Sequence, residues 1–476
     1  MNAKLHNISE LDKQCTDKNT LSVIVIRMFN TFNLQSAIKS IGLEKPGGRS
    51  VCALLQNLML FRLYGESIFR SLFSGKSPDS FGKDCYYRLY KDEQINWRKL
   101  LYAASLSFRH VVADKGDELP KGPRCIIFDD TLIQKSNSGC EGCTKVHDHV
   151  AHKTVYGMKA LTCAYFDGTT TTVTDFSIHR ELGKKGKGGL SDAEWKYQYS
   201  KKRINESPGS QRFSEIDKSK IAQVSDMIRR GVRHGLKIEY ALFDSWFTCP
   251  KLVNEIRGIG KQNIHVVALH KMNNQRFTVD GKLRHIQDLV ALNERNAKPC
   301  RKMKAVYFTL RGDMGGVPVK MFFVRYGRQD NWRLLITTDL TLSFIKAFEI
   351  YQIRWTTEVL YKECRQYLRF GEYQGTDFDG MIADVTLVFL THTMLTLEKR
   401  FQAYETFGEV FRAAQISSLE KLLWERILPI VYRLIELLAD ITGLGVDEIM
   451  EMILQDEEKA TIYAELCYLI EKQRTA

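Results

Sequence analysis

Two hydrophobic rhythms alternate along the chain. Up to about residue 120 the apolar positions recur at helical spacing. Leu21-Ser-Val-Ile-Val-Ile-Arg-Met-Phe and Val51-Cys-Ala-Leu-Leu-Gln-Asn-Leu-Met-Leu-Phe-Arg-Leu each present an apolar face, and Glu44-Lys-Pro-Gly-Gly-Arg-Ser breaks between them. From Arg124 the rhythm shortens. It predicts strands at 124–129, 154–166 and 170–177, with Asp167-Gly168 as a hairpin turn. A helix over about 214–234, a strand ending at Asp244, a helix over about 250–257 and a strand at 264–269 follow. A β-rich piece then runs from about Asn273 to Asp339, with strand-like stretches beginning near Met303, Val317 and Trp332. Past Gly380 the spacing is again helical and reads as amphipathic, with 419–442 and 446–472 as long helices. The pattern predicts an α/β protein with helical regions at both ends.

Two of the predicted strands end in acid. Arg124-Cys-Ile-Ile-Phe-Asp129-Asp130-Thr131 closes on two carboxylates and a hydroxyl, and Ile238-Glu-Tyr-Ala-Leu-Phe-Asp244-Ser245-Trp246-Phe247 repeats the design. Short apolar runs bounded by polar residues read as buried strands, and open α/β sheets place their sites at the carboxyl ends of strands. A single strand-end acid is also an ordinary cap or turn residue. Further on, Tyr351 to Arg365 predicts one helix. At about 100° per residue, Tyr351, Arg354, Glu358 and Arg365 fall within roughly a 60° arc, with Lys362 one turn beyond Glu358 near the same stripe. Such spacing also builds a solvated ladder of ion pairs. The conjunction with two strand-end acids is what points to chemistry.

The pattern Tyr-x2-Arg-x3-Glu-x6-basic, preceded by an Asp in an Asp-x-Thr context and another in a strand-end Asp-Ser context, resembles the DDE transposases of bacterial insertion sequences, in the insertion-sequence-four branch. Tyr351, Arg354 and Glu358 match residue by residue. Arg365 departs, standing where the family has Lys, so charge is kept while a planar fork replaces a compact ammonium. The resemblance covers about 124–369. It implies a ribonuclease-H-like catalytic core interrupted by a β-rich insertion, an element order that the predicted strands and helices fit. Residues 1–120 would form a helical DNA-end-binding domain, 121–272 the first part of the core, 273–340 the β-strand insertion domain, 341–380 the glutamate helix of the core, and 381–476 a helical C-terminal region.

The resemblance also implies an activity: binding the terminal inverted repeats of an insertion sequence, cleaving the ends and joining them to target DNA by two-metal phosphoryl transfer. Asp129, Asp244 and Glu358 are then the catalytic acids and hold two Mg²⁺ or Mn²⁺ ions, hard cations suited to carboxylate oxygen. Asp129 is preferred to Asp130 as the first metal ligand because the family writes Asp-x-Thr, which puts Thr131 two residues on; Asp130 stays the alternative. Tyr351, Arg354 and Arg365 would grip DNA phosphates, with Lys362 as a further contact. Trp332 lies about where hairpin-forming relatives place the aromatic that receives a flipped base. The implied partners are double-stranded DNA, as transposon ends and target, and further copies of the chain in a homodimer or multimer that synapses two ends.

Charge agrees with a polyanionic partner: 69 Lys plus Arg stand against 56 Asp plus Glu, a formal net charge of +13. Between Lys83 and Lys91, bases interleave with Tyr86, Tyr87 and Tyr90, which suits phosphate contacts or a solvated helix face. The basic, Gly-rich run from Arg180 to Gly189 and Lys201-Lys202-Arg203 are expected as a mobile loop that orders on DNA. The 11 irregularly spaced cysteines predict reduced thiols rather than a disulfide framework. Cys140, Cys143, His147, His149 and His152 crowd at metal-like density, but a structural zinc commonly takes two ligand pairs across a longer loop, so ordinary turn residues are the preferred reading. The polar opening Met1-Asn-Ala-Lys-Leu-His is not expected to act as a signal peptide. The longest apolar run, about Val385 to Leu397, is interrupted by Thr386, Thr391, His392 and Thr393 and is expected to be too short and polar to span a bilayer. The expected location is the bacterial cytoplasm, at the nucleoid. Two other functions share these features: a metal-dependent nuclease of the same fold that only hydrolyses, and a retired transposase kept as a DNA-binding protein.

Overall fold

In the computed structural model, six helices precede the first strand among the described residues: α1 (Ile24–Thr31), α2 (Leu34–Ser40), α3 (Val51–Leu63), α4 (Ile68–Phe73), α5 (Lys83–Tyr90) and α6 (Trp97–Asp114). The structure describes residues 24–40, 50–73, 82–116, 122–148, 150–183, 186–327, 331–402 and 404–415, with isolated positions besides. Apart from isolated positions, among them Leu437, Ala439, Ile441, Thr442 and Glu448, the helices predicted at 419–442 and 446–472 lie outside the described residues. In α5 the interleaved bases and tyrosines separate by face. Tyr86 and Tyr90 are buried, whereas Lys83 and Arg88 are exposed, as is Lys91 just past the helix end. Asn96 caps α6 by accepting from the Lys99 backbone N–H over 3.1 Å.

The sheet begins with β1 (Cys125–Gln134), β2 (Thr144–Asp148), β3 (Lys153–Phe166) and β4 (Thr171–His179). Three helices follow, α7 (Asp192–Tyr197), α8 (Pro208–Ser214) and α9 (Lys220–Arg233), then β5 (Tyr240–Phe243), α10 (Pro250–Arg257) and β6 (His265–His270). The next stretch holds β7 (Arg276–Val279), β8 (Lys282–His285), α11 (Ile286–Asn293), β9 (Lys298–Cys300), β10 (Ala305–Asp313), β11 (Pro318–Tyr326) and β12 (Arg333–Thr337). Three helices complete the described fold: α12 (Phe344–Gln352), α13 (Trp355–Leu368) and α14 (Phe378–Phe401). The fold is mixed α/β with one large mixed sheet, ordered β2-β3-β1-β5-β6-β12-β11-β10-β7-β8, with β4 beside β3 and β9 beside β10. β1, β5 and β6 run parallel; β3 and β12 flank them antiparallel.

The central strands read as unbroken apolar runs because both faces are covered. Ile126, Phe128 and Phe243 pack with Val224, Met227 and Ile228 of α9 and Leu252 and Ile256 of α10. Cys125, Ile127, Leu242 and Val267 point the other way, to Phe344, Ala347 and Ile350 of α12. The 273–340 segment is strand-rich as expected, and it extends this same sheet, since β12 pairs with β6 and Phe277, Phe308 and Phe323 share the core of α9 and α10.

Several local expectations change. β1 does not stop at its acids but runs through them to Gln134, because β3 pairs with it along its whole length. The segment around His147, expected as a turn, is strand β2 on the edge of β3. α14 is not amphipathic: from Phe378 to Leu395 every position is buried, packed among the N-terminal helices, α13 and β4. By length and composition it could cross a membrane, yet 94% of its most apolar window is covered by the rest of the fold. The basic run at 201–203 is no free loop. Arg203 donates to Glu141 Oε2 (2.6 Å) and to Asp379 Oδ2 (3.1 Å), and Lys201 Nζ reaches Asp379 Oδ2 at 2.8 Å, so these two charges are spent inside the protein while Lys202 is exposed. The Gly-rich run is pinned to β2 where it is described. Lys145 N–H donates to the Gly188 carbonyl over 3.0 Å, and a Cβ on Gly188 would fall 2.4 Å from the Thr144 side chain. Lys184 and Lys185 lie outside the described residues.

Candidate active site

The strands deliver the first two acids side by side. β1 and β5 are parallel with Phe128 paired to Phe243, so Asp129 and Asp244, each the next residue along, project from neighbouring strands about 4.8 Å apart. Side chains alternate along a strand. Asp129 therefore shares the face of Cys125 and Ile127, and Asp130 the face of Ile126 and Phe128. The contacts follow that alternation: Asp130 forms an ion pair with Lys220 at the start of α9, while Asp129 meets α13.

α13 supplies the third acid through an arginine. Arg354 Nη1 donates to Asp129 Oδ2 over 3.0 Å and its Nη2 to Glu358 Oε1 over 2.6 Å. The Thr357 hydroxyl donates to the Arg354 carbonyl at 2.7 Å and lies 3.4 Å from the same Asp129 oxygen, and the Tyr361 hydroxyl donates to the Asp129 carbonyl at 3.0 Å. Asp129 Oδ1 accepts from the Asp130 N–H at 2.9 Å. Asp244 is fixed by the turn that follows it, accepting from the Trp246 N–H at 2.9 Å. The predicted single helix from Tyr351 to Arg365 is interrupted. α12 ends at Gln352, Ile353 and Arg354 form a tight turn with i to i+3 bonds, and α13 starts at Trp355. Both turn residues stay in the right-handed helical region, so the stripe is bent rather than destroyed and Arg354 caps the new helix facing the acids.

Burial dominates the electrostatics. It pushes the Asp129 carboxyl up to about 7; Arg354 opposes that, and Asp130 and Asp244 add to it. Tyr351 is raised, chiefly by burial, with Arg354 beside it working the other way. The Arg354 guanidinium stands 5.8 Å from the Tyr351 ring centre. Among the described residues no three His, Cys, Asp or Glu side chains close on a common metal position, and the Arg354 guanidinium lies between Asp129 and Glu358. In donor chemistry the set still fits a hard divalent cation. Asp129 at the end of the β1 pairing with β5, Asp244 just past β5 and Glu358 one turn along α13 present only oxygen, and a divalent charge would offset the burial and the neighbouring acids that raise the Asp129 carboxyl.

The remaining predicted residues are placed as follows. Lys362 is exposed on α13. Arg365 is exposed at its guanidinium end and donates to the Thr131 hydroxyl and, at 3.3 Å, to the Leu132 carbonyl, which ties α13 to β1 beyond the acids. Trp332 does not offer a stacking face. It is 9% exposed in the core of β10 to β12, edge-on to Phe308 at 5.1 Å and covered by the Arg325 guanidinium at 4.8 Å. Two other tryptophans flank the acids: Trp246, 49% exposed beneath the Lys220 ammonium, and Trp355, 62% exposed beside Arg354. Cys140 and Cys143 are buried in the turn before β2, which pushes their thiols up to about 11 and about 12, whereas His147 and His152 are exposed and His149 lies outside the described residues.

Sequence reasoning missed Lys220, Thr357 and Tyr361. Tyr361 had a signal, since it lies seven residues from Arg354 and so on the flank of the same stripe. Lys220 had none; its pairing with Asp130 exists only because α9 packs across β1. No protein-family model matches this chain, and no curated protein matches it.

Proposed function

We propose that this chain is a DDE transposase with a ribonuclease-H-like core. The sheet order supports the fold: β4, β3 and β1 form an antiparallel meander, and β5 and β6 add parallel to β1 on its other side. The observation that supports the function is that acids from distant segments gather at one end of the parallel strands, bridged by Arg354 rather than closed on a common point. Asp129 and Asp244 lie on adjacent parallel strands, and Glu358 is joined to Asp129 through Arg354. Asp129, Asp244 and Glu358 would hold the two Mg²⁺ or Mn²⁺ ions, which when bound supply an activated water or 3′-hydroxyl and stabilise the leaving oxygen. Asp130, paired with Lys220 on the opposite face of β1, is the weaker first ligand.

The chain's own residues hold and orient. Tyr361 fixes Asp129 through its carbonyl, and Thr357 holds the Arg354 carbonyl beside it. Arg354, Lys362 and Arg365 give α13 a basic stripe for DNA phosphates, Tyr351 sits beside Arg354, and exposed Trp246 and Trp355 offer flat surfaces beside the acids. The +13 charge supports a nucleic-acid partner, and synapsis of two ends calls for a second copy of the chain. The test uses duplex DNA from the flanks of the reading frame, where terminal inverted repeats are expected. With Mn²⁺ the chain nicks that duplex at the element's end. Glu358→Gln and Asp244→Asn fold and bind the duplex but do not nick it, and normal nicking by either variant refutes the assignment.

A further inference from the structure

Arg354 is committed to two of the acids and also borders a cavity. Its Nη1 and Nη2 are spent on Asp129 and Glu358, while its Nε is buried with no hydrogen-bond partner. One guanidinium thereby occupies the space between two of the three carboxylates. Arg354 also lines a cavity of about 710 Å³ walled by Tyr326, Arg333, Phe348, Tyr351 and Trp355. That chamber is bordered by a second arginine and by aromatic rings, and it is roomy enough for a phosphodiester segment. A phosphate there would compete with the two carboxylates for the guanidinium, since the fork of an arginine pairs with phosphate through two parallel bonds.

We propose that Arg354 is a gate: in the free protein its guanidinium stands in for the cations between Asp129 and Glu358, and a DNA phosphate entering the adjoining cavity draws it off so that divalent ions can be taken up. The proposal rests on the transposase reading and gives its site an order, phosphate before metal. A bound guanidinium and a divalent ion cannot share the same two carboxylates, so DNA and metal favour each other's binding, and by reciprocity the factor is the same in both directions. Free protein is thereby kept from assembling a cleavage-competent site on its own.

The test measures Mn²⁺ binding to the full chain by calorimetry and by the electron paramagnetic resonance signal of free Mn²⁺, with and without a short duplex from the flanks of the reading frame. Glu358→Gln with the same duplex subtracts Mn²⁺ bound by DNA itself. The wild type is expected to bind Mn²⁺ weakly alone and roughly tenfold or more tightly with duplex. Arg354→Gln, checked for folding by circular dichroism, should bind Mn²⁺ without DNA roughly tenfold tighter than the wild type, with little further gain from duplex. Arg354→Lys, which keeps the charge but cannot bridge both acids with a fork, should fall between. Equal Mn²⁺ affinity of the wild type with and without duplex, or no gain in Arg354→Gln, overturns the gate while leaving the transposase reading in place. Mn²⁺ binding no greater than that of Glu358→Gln in every variant and condition overturns the transposase reading and the gate with it.

Discussion

Asp175 is the perturbation that most directly tests how the N-terminal helices are locked to the central sheet. It is fully buried on β4 and sits among three guanidiniums: Arg98 of α6 (Nε to Oδ1, 2.8 Å), Arg230 of α9 (Nε to Oδ2, 2.8 Å) and Arg212 of α8 (3.8 Å). The Tyr102 hydroxyl adds a fourth donor at 3.2 Å. Glu215 is the only other acid paired with these arginines in the described residues, at 2.7 Å from Arg98. Asp175→Asn keeps the shape and removes the charge, so no cavity opens and the cost is electrostatic. Arg98 retains Glu215, but Arg230 loses its ion-pair partner while its Nη2 already lacks a hydrogen bond. Removing one member of a buried ion cluster costs about 3–5 kcal/mol. With Arg98 compensated, about 3 kcal/mol is expected, a large share of a typical folding free energy of about 5–15 kcal/mol. Urea unfolding followed by circular dichroism should show a lower midpoint at unchanged slope. Adding Arg230→Met to Asp175→Asn should recover part of the loss. A loss below about 1 kcal/mol would mean that the buried charges are not coupled as their distances indicate. The same carboxyl gives a pH signature. Burial alone would raise it, but Arg98, Arg230 and Arg212 outweigh burial and hold it at about 2. Its contribution is therefore complete above the ordinary carboxylate range and is lost as pH falls from about 4 toward 2.

Asp129 carries the opposite sign. Burial raises it to about 7, so the folded chain keeps a proton there that the unfolded chain loses above about 4, and this group's contribution to stability declines as pH rises from about 4 to 7. Cation uptake needs the carboxylate, so Mn²⁺ affinity measured by calorimetry should rise about tenfold from pH 6 to pH 8 in the wild type; a flat profile would remove Asp129 from the ligand set. Arg365→Glu should weaken binding to the end duplex and lower the salt slope by about 1, and unchanged affinity across a salt titration would take Arg365 off the DNA surface. Trp332→Ala should cost about 3 kcal/mol in urea unfolding, as for a core aromatic, and leave duplex affinity unchanged below the transition; the reverse pattern would restore Trp332 as a base-stacking residue.

Local rules made much of this protein legible in the sequence. The apolar run ending in Asp129 and Asp130 specifies a buried strand, and alternation alone puts those two acids on opposite faces. The four-residue spacing of Arg354 and Glu358 puts them in reach of each other on any helical backbone, and the ion pair at 2.6 Å is that spacing realised. The helices near 220–233 and 250–257 and the strands from 153 to 179 follow from periodicity. What packing alone decided is which partner each side chain meets across the chain. Asp129 and Arg354 are 225 positions apart, and their pairing depends on α13 crossing the face of β1 that α9 does not cover. The same holds for Trp332, for Lys201 and Arg203, and for α14. An aromatic is drawn into whichever core lies beside it, a basic run points inward when buried acids receive it, and a helix is buried all round when neighbours surround it. Periodicity is set by bonds between near neighbours, whereas these outcomes are set by surfaces that exist only once the chain has folded.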